Sequence, residues 1–242
     1  MLGLMMDKPL LVGSFLEHSE RFHPEQEVVS RLSDGTFVYQ RYRELARRTR
    51  KLANALWALG VKPGDRVATL AWNTHRHLGL YYACAGSGVV CHTINPRLHT
   101  EQLTYIIEHA EDSLLFFDID LEPLVEKLAG VRAGLMHWVT LGTETDLSKA
   151  MPVGCMSYEE LLDAQSDGLV WPELDERMAC SLCYTPGTTG NPKGVLYSHR
   201  SSVLHALVAA LPDCAALSAR SVVIPMVPMF HVNVGECRTQ RC

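Results

Sequence analysis

The chain has 242 residues, of which 47% are hydrophobic and 20% charged, and its formal net charge is −5. These values are typical of a folded globular protein and argue against intrinsic disorder. The acidic balance argues against a general nucleic-acid-binding protein, because such proteins carry a basic excess or a basic face. The sequence therefore predicts one large domain or two modest ones, with no nucleic-acid partner.

The start of the chain carries no recognisable targeting signal. Residues 1–6 are apolar, but Asp7 and Lys8 follow them and no basic region precedes them, so no signal peptide is predicted. The longest stretch without acidic residues, Lys or Arg, residues 77–96, is interrupted by glycines and polar residues. It is predicted to be a buried helix followed by a buried strand, rather than an integral membrane segment. A cytoplasmic location is expected, with the eight cysteines free and reduced.

Short apolar strands alternate with amphipathic helices along the chain, a pattern that predicts an α/β fold. The first elements are a hairpin whose Asp-Gly turn lies in residues 33–35, and a helix over residues 42–59. A basic run, residues 41–51, is interpreted as the solvated outer face of that helix. Strands are then predicted over residues 66–71 and 89–93, with a helix between them.

The second half of the chain continues the same alternation. Thr100 is predicted to cap a helix that runs to residue 109, and Ser157 opens a capping box for a helix over residues 158–164. A further helix is predicted over residues 121–128, and strands are predicted over residues 114–117, 136–141, 179–183, 195–197 and 222–224. Turn-rich residues 165–176 suggest a first α/β subdomain over residues 1–170 and a second that begins at residue 171.

The pair Cys180 and Cys183 has the spacing of a zinc or redox motif. It lies in a run that is predicted to be a strand, where residues three apart point to opposite faces. A second such pair, which a four-ligand zinc site needs, does not follow. A structural role is therefore favoured, and stoichiometric zinc or a labile disulfide would indicate the metal or redox alternative.

The segment at residues 184–194 reads YTPGTTGNPKG and lies between two apolar runs. Glycines let backbone N–H groups approach an anion, the threonine hydroxyls can donate hydrogen bonds, and Lys193 adds a positive charge. A surface loop with no ligand uses the same residue types, so both interpretations stay open at this point. A Walker A loop is excluded, because Pro192 precedes the lysine and Gly194 follows it.

This segment resembles the phosphate-binding signature of the acyl-adenylate-forming, or AMP-binding, superfamily, whose usual form is Tyr/Phe-Thr-Ser-Gly-Thr-Thr-Gly-x-Pro-Lys-Gly. Residues 60–68 and residues 228–233, which read PMFHVN, resemble two further motifs of the same family. Residues 94–98 and the pair Ser198 and His199 look most like medium-chain fatty acid–CoA ligases. The resemblance covers residues 1–233 and implies the N-terminal part of an acyl-CoA synthetase fold.

The resemblance implies a two-step reaction, in which a fatty acid carboxylate attacks the α-phosphate of ATP and the thiol of coenzyme A then displaces AMP. Mg²⁺ is expected to neutralise the phosphates, although the sequence suggests no metal ligand. His231 would lie near the acyl and adenylate site, whereas by itself a lone histidine is more often a buried core residue. The residues implied to contact ATP are Thr185, Gly187, Thr188, Thr189, Gly190 and Lys193.

Two features depart from the family pattern. Pro186 replaces the usual serine, which removes a hydroxyl and an N–H that could each bind phosphate. Residues 234–242 do not resemble the family, and the later nucleotide motifs and the C-terminal domain have no counterpart, which suggests a shifted reading frame. The chain is therefore expected to be an inactive fragment of a ligase. The alternative is a non-catalytic nucleotide-binding or interaction fragment.

Overall fold

The computed structural model describes residue 1 and residues 3–128, 135, 137–142, 154–185 and 191–231. The helices in this part of the chain are α1 (Gly13–Phe22), α2 (Tyr42–Ala58), α3 (His75–Gly86), α4 (Thr100–Ala110), α5 (Glu122–Leu128), α6 (Tyr158–Asp163) and α7 (His199–Ala210). The strands are β1 (Glu27–Arg31), β2 (Phe37–Arg41), β3 (Arg66–Leu70), β4 (Val90–Thr93), β5 (Asp112–Phe117), β6 (His137–Thr140), β7 (Met156–Ser157), β8 (Ala179–Thr185) and β9 (Lys193–Ser198). The α/β prediction is confirmed.

The central element is a seven-stranded sheet with the order β7-β6-β5-β3-β4-β8-β9. All neighbouring strands in it are parallel except β8 and β9, which form an antiparallel hairpin. Strands β1 and β2 form a separate antiparallel hairpin, as predicted. Strands β8 and β9 belong to the same sheet as β3 to β7, so residues on both sides of the predicted subdomain boundary share one sheet. The division at residue 170 stays a prediction.

The core lies on the two faces of this sheet. Along β3, Val67 packs in the cluster of α2, α3 and α6, whereas its neighbour Ala68 packs in the cluster of α4 and α5. Along β5, Phe116 and Phe117 divide in the same way. Successive side chains of a strand point to opposite faces, so a sheet that is covered on both sides requires continuous apolar strands. The apolar runs that predicted these strands arise from this requirement.

Helix termini agree closely with the sequence pattern. The Ser157 hydroxyl accepts a hydrogen bond from the Glu160 N–H and caps α6, which confirms the serine cap of the predicted capping box, and the helix ends at Asp163. The prediction for α4 was wrong by one residue, because His99 is the cap and Thr100 is the first helical residue. The His99 backbone is extended, and its N–H donates to the Gln102 side chain. A glutamine side chain, rather than a threonine hydroxyl, therefore accepts a main-chain N–H at this end of the helix.

The interpretation of the basic run as a solvated face was wrong for two of its side chains. Arg48 donates to Glu159 of α6, and Arg50 forms a bidentate pair with Glu20 of α1. Their side chains are only 19% and 23% exposed. Helix α2 contacts α1, α3 and α6, so its polar side carries ion pairs between helices rather than facing water alone.

The strand predicted over residues 222–224 is absent from the described part of the chain. Val222 is 94% exposed and Ile224 is 62% exposed, and neither residue pairs with a neighbouring strand. Apolar content does not make a strand when no adjacent strand supplies hydrogen bonds. The stretch over residues 77–96 forms the buried α3 and β4, as predicted, and none of the helices described is long and apolar enough to cross a membrane.

Candidate active site

The carboxyl ends of the parallel strands form one edge of the sheet, and two of the three family-like motifs, the phosphate-loop motif and the PMFHVN motif, lie there. Strand β8 pairs with β4 so that Cys183 lies opposite Thr93. The phosphate-loop motif begins at the last two residues of β8, and Phe230 of the PMFHVN motif contacts the end of β4. Ligands of open α/β sheets bind outside the carboxyl ends of the strands, so this edge is the candidate site.

The two described ends of the phosphate-loop motif are Thr185 and Lys193. They are paired residues of the β8–β9 hairpin, and the Thr185 hydroxyl donates to the Lys193 carbonyl at 3.4 Å. Both side chains are exposed, and Lys193 forms no ion pair with any acidic residue in the described ranges. The Lys193 ammonium group is thus exposed at the carboxyl edge. The Thr185 hydroxyl links the two strands at the point where the loop begins and ends.

The other predicted phosphate contacts, Gly187, Thr188, Thr189 and Gly190, lie outside the described residues, as does Pro186. Their roles stay predictions. What the structure gives is the position at which the loop leaves β8 and enters β9.

Residues 225–231, which include the described part of the PMFHVN motif, are bound by their main chain to the first part of the sheet, while Val232 and Asn233 lie outside the described residues. The Asn73 side chain, just after β3, donates to the carbonyls of Pro225 and Val227 and accepts from the N–H of Met229 at 2.7 Å. The Tyr81 hydroxyl of α3 donates to the Met229 carbonyl at 2.6 Å. A stretch without helix or strand is thereby held in one place on the carboxyl edge.

Phe230 and His231 point in different directions from this stretch. Phe230 is 3% exposed and packs edge-on against Trp72 with ring centroids 6.0 Å apart, while the Thr93 hydroxyl donates to its carbonyl. His231 is exposed, and its main-chain N–H donates to the Pro228 carbonyl at 2.9 Å. The alternative interpretation of His231 as a buried core residue is therefore wrong, because its neighbour Phe230 fills the apolar position.

Buried ionisable groups fix the loop that carries Asn73. Asp118 accepts the Trp72 N–H at 2.6 Å, and burial raises the pKa of this carboxyl to about 6. The His77 ring bridges the Trp72 carbonyl and the Thr69 hydroxyl, each at 3.0 Å, and burial lowers its pKa to about 4. A neutral imidazole and a buried carboxyl group thus hold both main-chain polar groups of Trp72.

A second buried network lies beneath the start of the phosphate-loop motif. His92 Nδ1 lies 2.8 Å from the Asp112 carboxylate, and both side chains are fully buried. Burial raises the pKa of Asp112, although the neighbouring imidazole opposes this shift. Tyr184 packs beside the His92 ring, and its hydroxyl lies 2.7 Å from His109 Nδ1. The residue before Thr185 is therefore anchored to α4.

The cysteine pair of β8 is built into the sheet. Cys180 and Cys183 are both buried, and the Cys180 thiol donates to the Tyr197 carbonyl of β9. Within the ranges described, no group of three or more His, Cys, Asp or Glu side chains is placed to hold a metal ion.

Comparison with known proteins identifies the family. Residues 16–235 match the family described as AMP-binding enzyme. The chain belongs to the AMP-binding enzyme family. Among curated AMP-binding relatives, it is 48% identical over 233 residues to a medium-chain-fatty-acid–CoA ligase of Ectopseudomonas oleovorans, a match that covers 96% of this chain and 43% of the relative. It is equally identical, with the same coverage, to a 3-methylmercaptopropionyl-CoA ligase of Ruegeria lacuscaerulensis.

Solved structures share the fold of this chain. The inhibitor-bound N-terminal domain of FACL13 from Mycobacterium tuberculosis superimposes with a TM-score of 0.76 at 23% identity, covering 91% of this chain and 52% of that one. A fatty acyl CoA synthetase from the same organism gives a TM-score of 0.75 at 22% identity, covering 93% and 41%. The chain thus has the fold of the N-terminal domain of acyl-CoA synthetases, and it spans about 43% of the length of its curated relatives.

Sequence reasoning missed Asn73, Tyr81 and Trp72, which contact residues 225–230 at the carboxyl edge of the sheet. One signal was available for Trp72 and Asn73, since they directly follow a buried parallel strand, where ligand-proximal residues of such sheets occur. No pattern in the sequence indicated that Tyr81 contacts this segment, because it lies in a buried helix and its position is typical of a core residue.

Proposed function

We propose that the chain carries the phosphate-binding and acyl-binding parts of an ATP-dependent fatty acid–CoA ligase. The substrate class is a medium-chain fatty acid, which would be activated to acyl-adenylate with release of pyrophosphate and then transferred to the thiol of coenzyme A. The observation that carries this proposal is that the described parts of the phosphate-loop motif and the PMFHVN motif lie at the ends of the neighbouring strands β8 and β4.

Lys193 is the residue proposed to stabilise the phosphates. Its ammonium is exposed at the carboxyl edge and pairs with no described carboxylate. Nucleotidyl transfer depends mainly on positioning and on stabilising charge that develops on the phosphate oxygens. The Lys193 cation would supply part of that stabilisation, and the backbone N–H groups of Gly187 and Gly190, which lie outside the described residues, are predicted to supply more. Thr185 would contribute by fixing the base of the loop, through its hydrogen bond to the Lys193 carbonyl.

Mg²⁺ would bind chiefly to phosphate oxygens of ATP and to water. The described residues offer no ready cluster of ligands for it, and Mg²⁺ commonly keeps several waters and uses substrate phosphates as ligands. No residue of this chain is therefore assigned to the metal.

His231 is proposed to face the acyl and adenylate moieties. It is exposed at the end of a stretch that Asn73 and Tyr81 hold against β3 and α3. The preference for a medium-chain acid rests on residues 94–98 and on Ser198 and His199. Relatives of equal identity are named for medium-chain, long-chain and 3-methylmercaptopropionyl substrates, so overall identity does not decide between acids.

The experiment is ATP–pyrophosphate exchange with labelled pyrophosphate, Mg²⁺ and octanoate, comparing the 242-residue chain with Lys193→Ala. Exchange that depends on octanoate and falls at least about tenfold in the variant would support acid activation by this chain, and it would contradict the expectation that the chain is an inactive fragment. Exchange that is equal in both proteins contradicts the role of Lys193. ATP binding without exchange is the result expected of an inactive ligase fragment, and it would separate the alternative, a non-catalytic nucleotide-binding fragment, from an active enzyme.

A further inference from the structure

We propose that Asn73 is a positioning residue for the acyl site: its carboxamide fixes the main chain of residues 225–231, the His231 segment, on the carboxyl edge of the sheet. The inference deepens the proposed function and rests on it for the role of His231. The geometric part stands on the contacts of Asn73 alone.

The carboxamide of Asn73 satisfies three main-chain groups of the His231 segment. Its Nδ2 donates to the Pro225 carbonyl at 3.0 Å and to the Val227 carbonyl at 3.1 Å, and its Oδ1 accepts the Met229 N–H at 2.7 Å. A primary amide offers two donors and an acceptor in one plane, which hydroxyl, carboxylate and ammonium groups do not. The Pro225 carbonyl, the Val227 carbonyl and the Met229 N–H, on every second residue of the segment, match these two donors and one acceptor.

The His231 segment has no regular structure that would otherwise order it. It contains two prolines, which lack N–H groups, and it forms neither helix nor strand. Apart from the bond between the His231 N–H and the Pro228 carbonyl, the hydrogen bonds described for its main chain come from side chains in the rest of the fold. Asn73 supplies three of the bonds, Tyr81 bonds the Met229 carbonyl, and Thr93 makes a longer bond, at 3.4 Å, to the Phe230 carbonyl.

Asn73 is itself held rigidly, which a positioning residue requires. The N–H of the preceding Trp72 donates to Asp118, and the Trp72 carbonyl lies 3.0 Å from His77 Nδ1. The following residue, Thr74, caps α3 by accepting the His77 N–H. A chain of contacts thus runs from the buried core through the end of β3 to Met229, two residues before His231.

The exposed side chain of His231 depends on this support. The ring forms no hydrogen bond with any residue in the part of the chain that the structure describes, so the path of the main chain sets where it lies. Loss of the Asn73 bonds would release residues 225–229, while Phe230 would still fill its apolar position. The expected defect is a displaced His231 segment in an otherwise folded chain.

The test compares Asn73→Ala, Asn73→Asp and a matched control, Asn54→Ala. Asn54 makes the same kind of contact elsewhere, since its Nδ2 donates to the carbonyls of Ser166 and Gly168. Hydrogen exchange is measured at the Met229 amide and along the whole chain. Asn73→Ala should raise Met229 exchange by about tenfold, because the acceptor is lost. Asn73→Asp keeps an acceptor and should raise it less, and Asn54→Ala should leave it unchanged.

Ligand binding supplies the functional measurement, with octanoate and ATP as the probes. Asn73→Ala should weaken octanoate binding in the presence of ATP by about tenfold, and ATP binding alone by less than about threefold, because Lys193 lies on the other motif. Unchanged Met229 exchange in Asn73→Ala, or a rise spread evenly over the whole chain, would overturn the positioning role. A wild-type chain that binds neither probe would contradict the proposed function, while the Met229 comparison would still decide the role of Asn73.

Discussion

Thr93 and Cys183 lie opposite each other in the parallel pairing of β4 and β8, so the two strands leave the sheet side by side. The Thr93 hydroxyl reaches the Phe230 carbonyl, and Thr185 follows Cys183 by two residues at the base of the phosphate loop. This one register brings both family motifs to the same edge of the sheet. The buried side chains of Asp118 and His77 hold Trp72 at this edge, and their contributions to stability can be measured.

Replacing Asp118 by Asn should stabilise the protein at neutral pH. The folded-state pKa of about 6 exceeds the ordinary value of 3.8, so the stabilising contribution of this group is complete below pH 3.8 and is lost as the pH rises through 6. Asparagine still accepts the Trp72 N–H without burying a charge. We expect a gain of about 1–3 kcal/mol in the free energy of unfolding at pH 7.5, and none near pH 4.

Urea denaturation at the two pH values measures this gain. Asp120→Asn is the matched control, because Asp120 accepts the Trp72 indole N–H but is exposed, and it should change stability by less than about 0.5 kcal/mol. A variant Asp118→Asn that is less stable than the wild type at pH 7.5 would show that the charge on Asp118 is needed.

The opposite pH dependence is expected from His77. Its folded-state pKa of about 4 lies below the ordinary 6.5, so its contribution is complete above pH 6.5 and is lost as the pH falls through 4. The loss amounts to about 3 kcal/mol, and His75, with the same pKa direction, adds to it while Asp118 opposes it. His77→Gln should therefore flatten the decline in unfolding free energy between pH 6.5 and 4. An unaltered pH profile would rule out His77 as a buried neutral group.

The sequence predicted the elements of this fold well, and the contacts between distant elements poorly. The alternation of apolar runs gave β3, α3 and β4 because strands buried on both faces must be apolar throughout. Residues 222–224 have the same composition but no partner strand, and pairing is a property of the whole fold rather than of a segment. The signature motif indicated Lys193. The side chain of Asn73, by contrast, bonds main-chain groups that lie more than 150 residues away in the sequence, and no local pattern encodes such a contact.

Gly86 is expected to be intolerant of a side chain. A Cβ atom placed there would lie 2.6 Å from the Trp171 ring, which packs against the end of α3. Gly86→Ala should destabilise the chain by about 1–3 kcal/mol in urea denaturation, since overpacking shifts the ring or the helix. Gly13→Ala, at the start of α1, is the control, because a Cβ there meets nothing nearer than 4.0 Å. Equal stability of the two variants would contradict the tight packing of Trp171.

The outer surface of the β8–β9 hairpin is expected to cause self-association. No described strand pairs with the outer edge of β9. Apolar side chains of β9 and α7 are also exposed, with Leu196 at 61% and Leu207 at 51%. Free strand edges beside apolar surface favour association. Sedimentation velocity over a concentration series should show association that Leu196→Lys reduces, while Met5→Lys in the exposed N-terminal stretch should not. A wild-type chain that stays monomeric at all concentrations would contradict this expectation.

The most direct test of the proposed site is MgATP binding to the chain and to two lysine variants. Lys193 is exposed at the carboxyl edge of the sheet, whereas Lys62, also exposed, precedes β3 at the opposite edge. Isothermal titration should show saturable binding that Lys193→Ala weakens at least about tenfold and Lys62→Ala leaves nearly unchanged. Equal affinities for the wild type and Lys193→Ala, or an equal loss in both variants, would contradict a phosphate site at the carboxyl ends of β4 and β8.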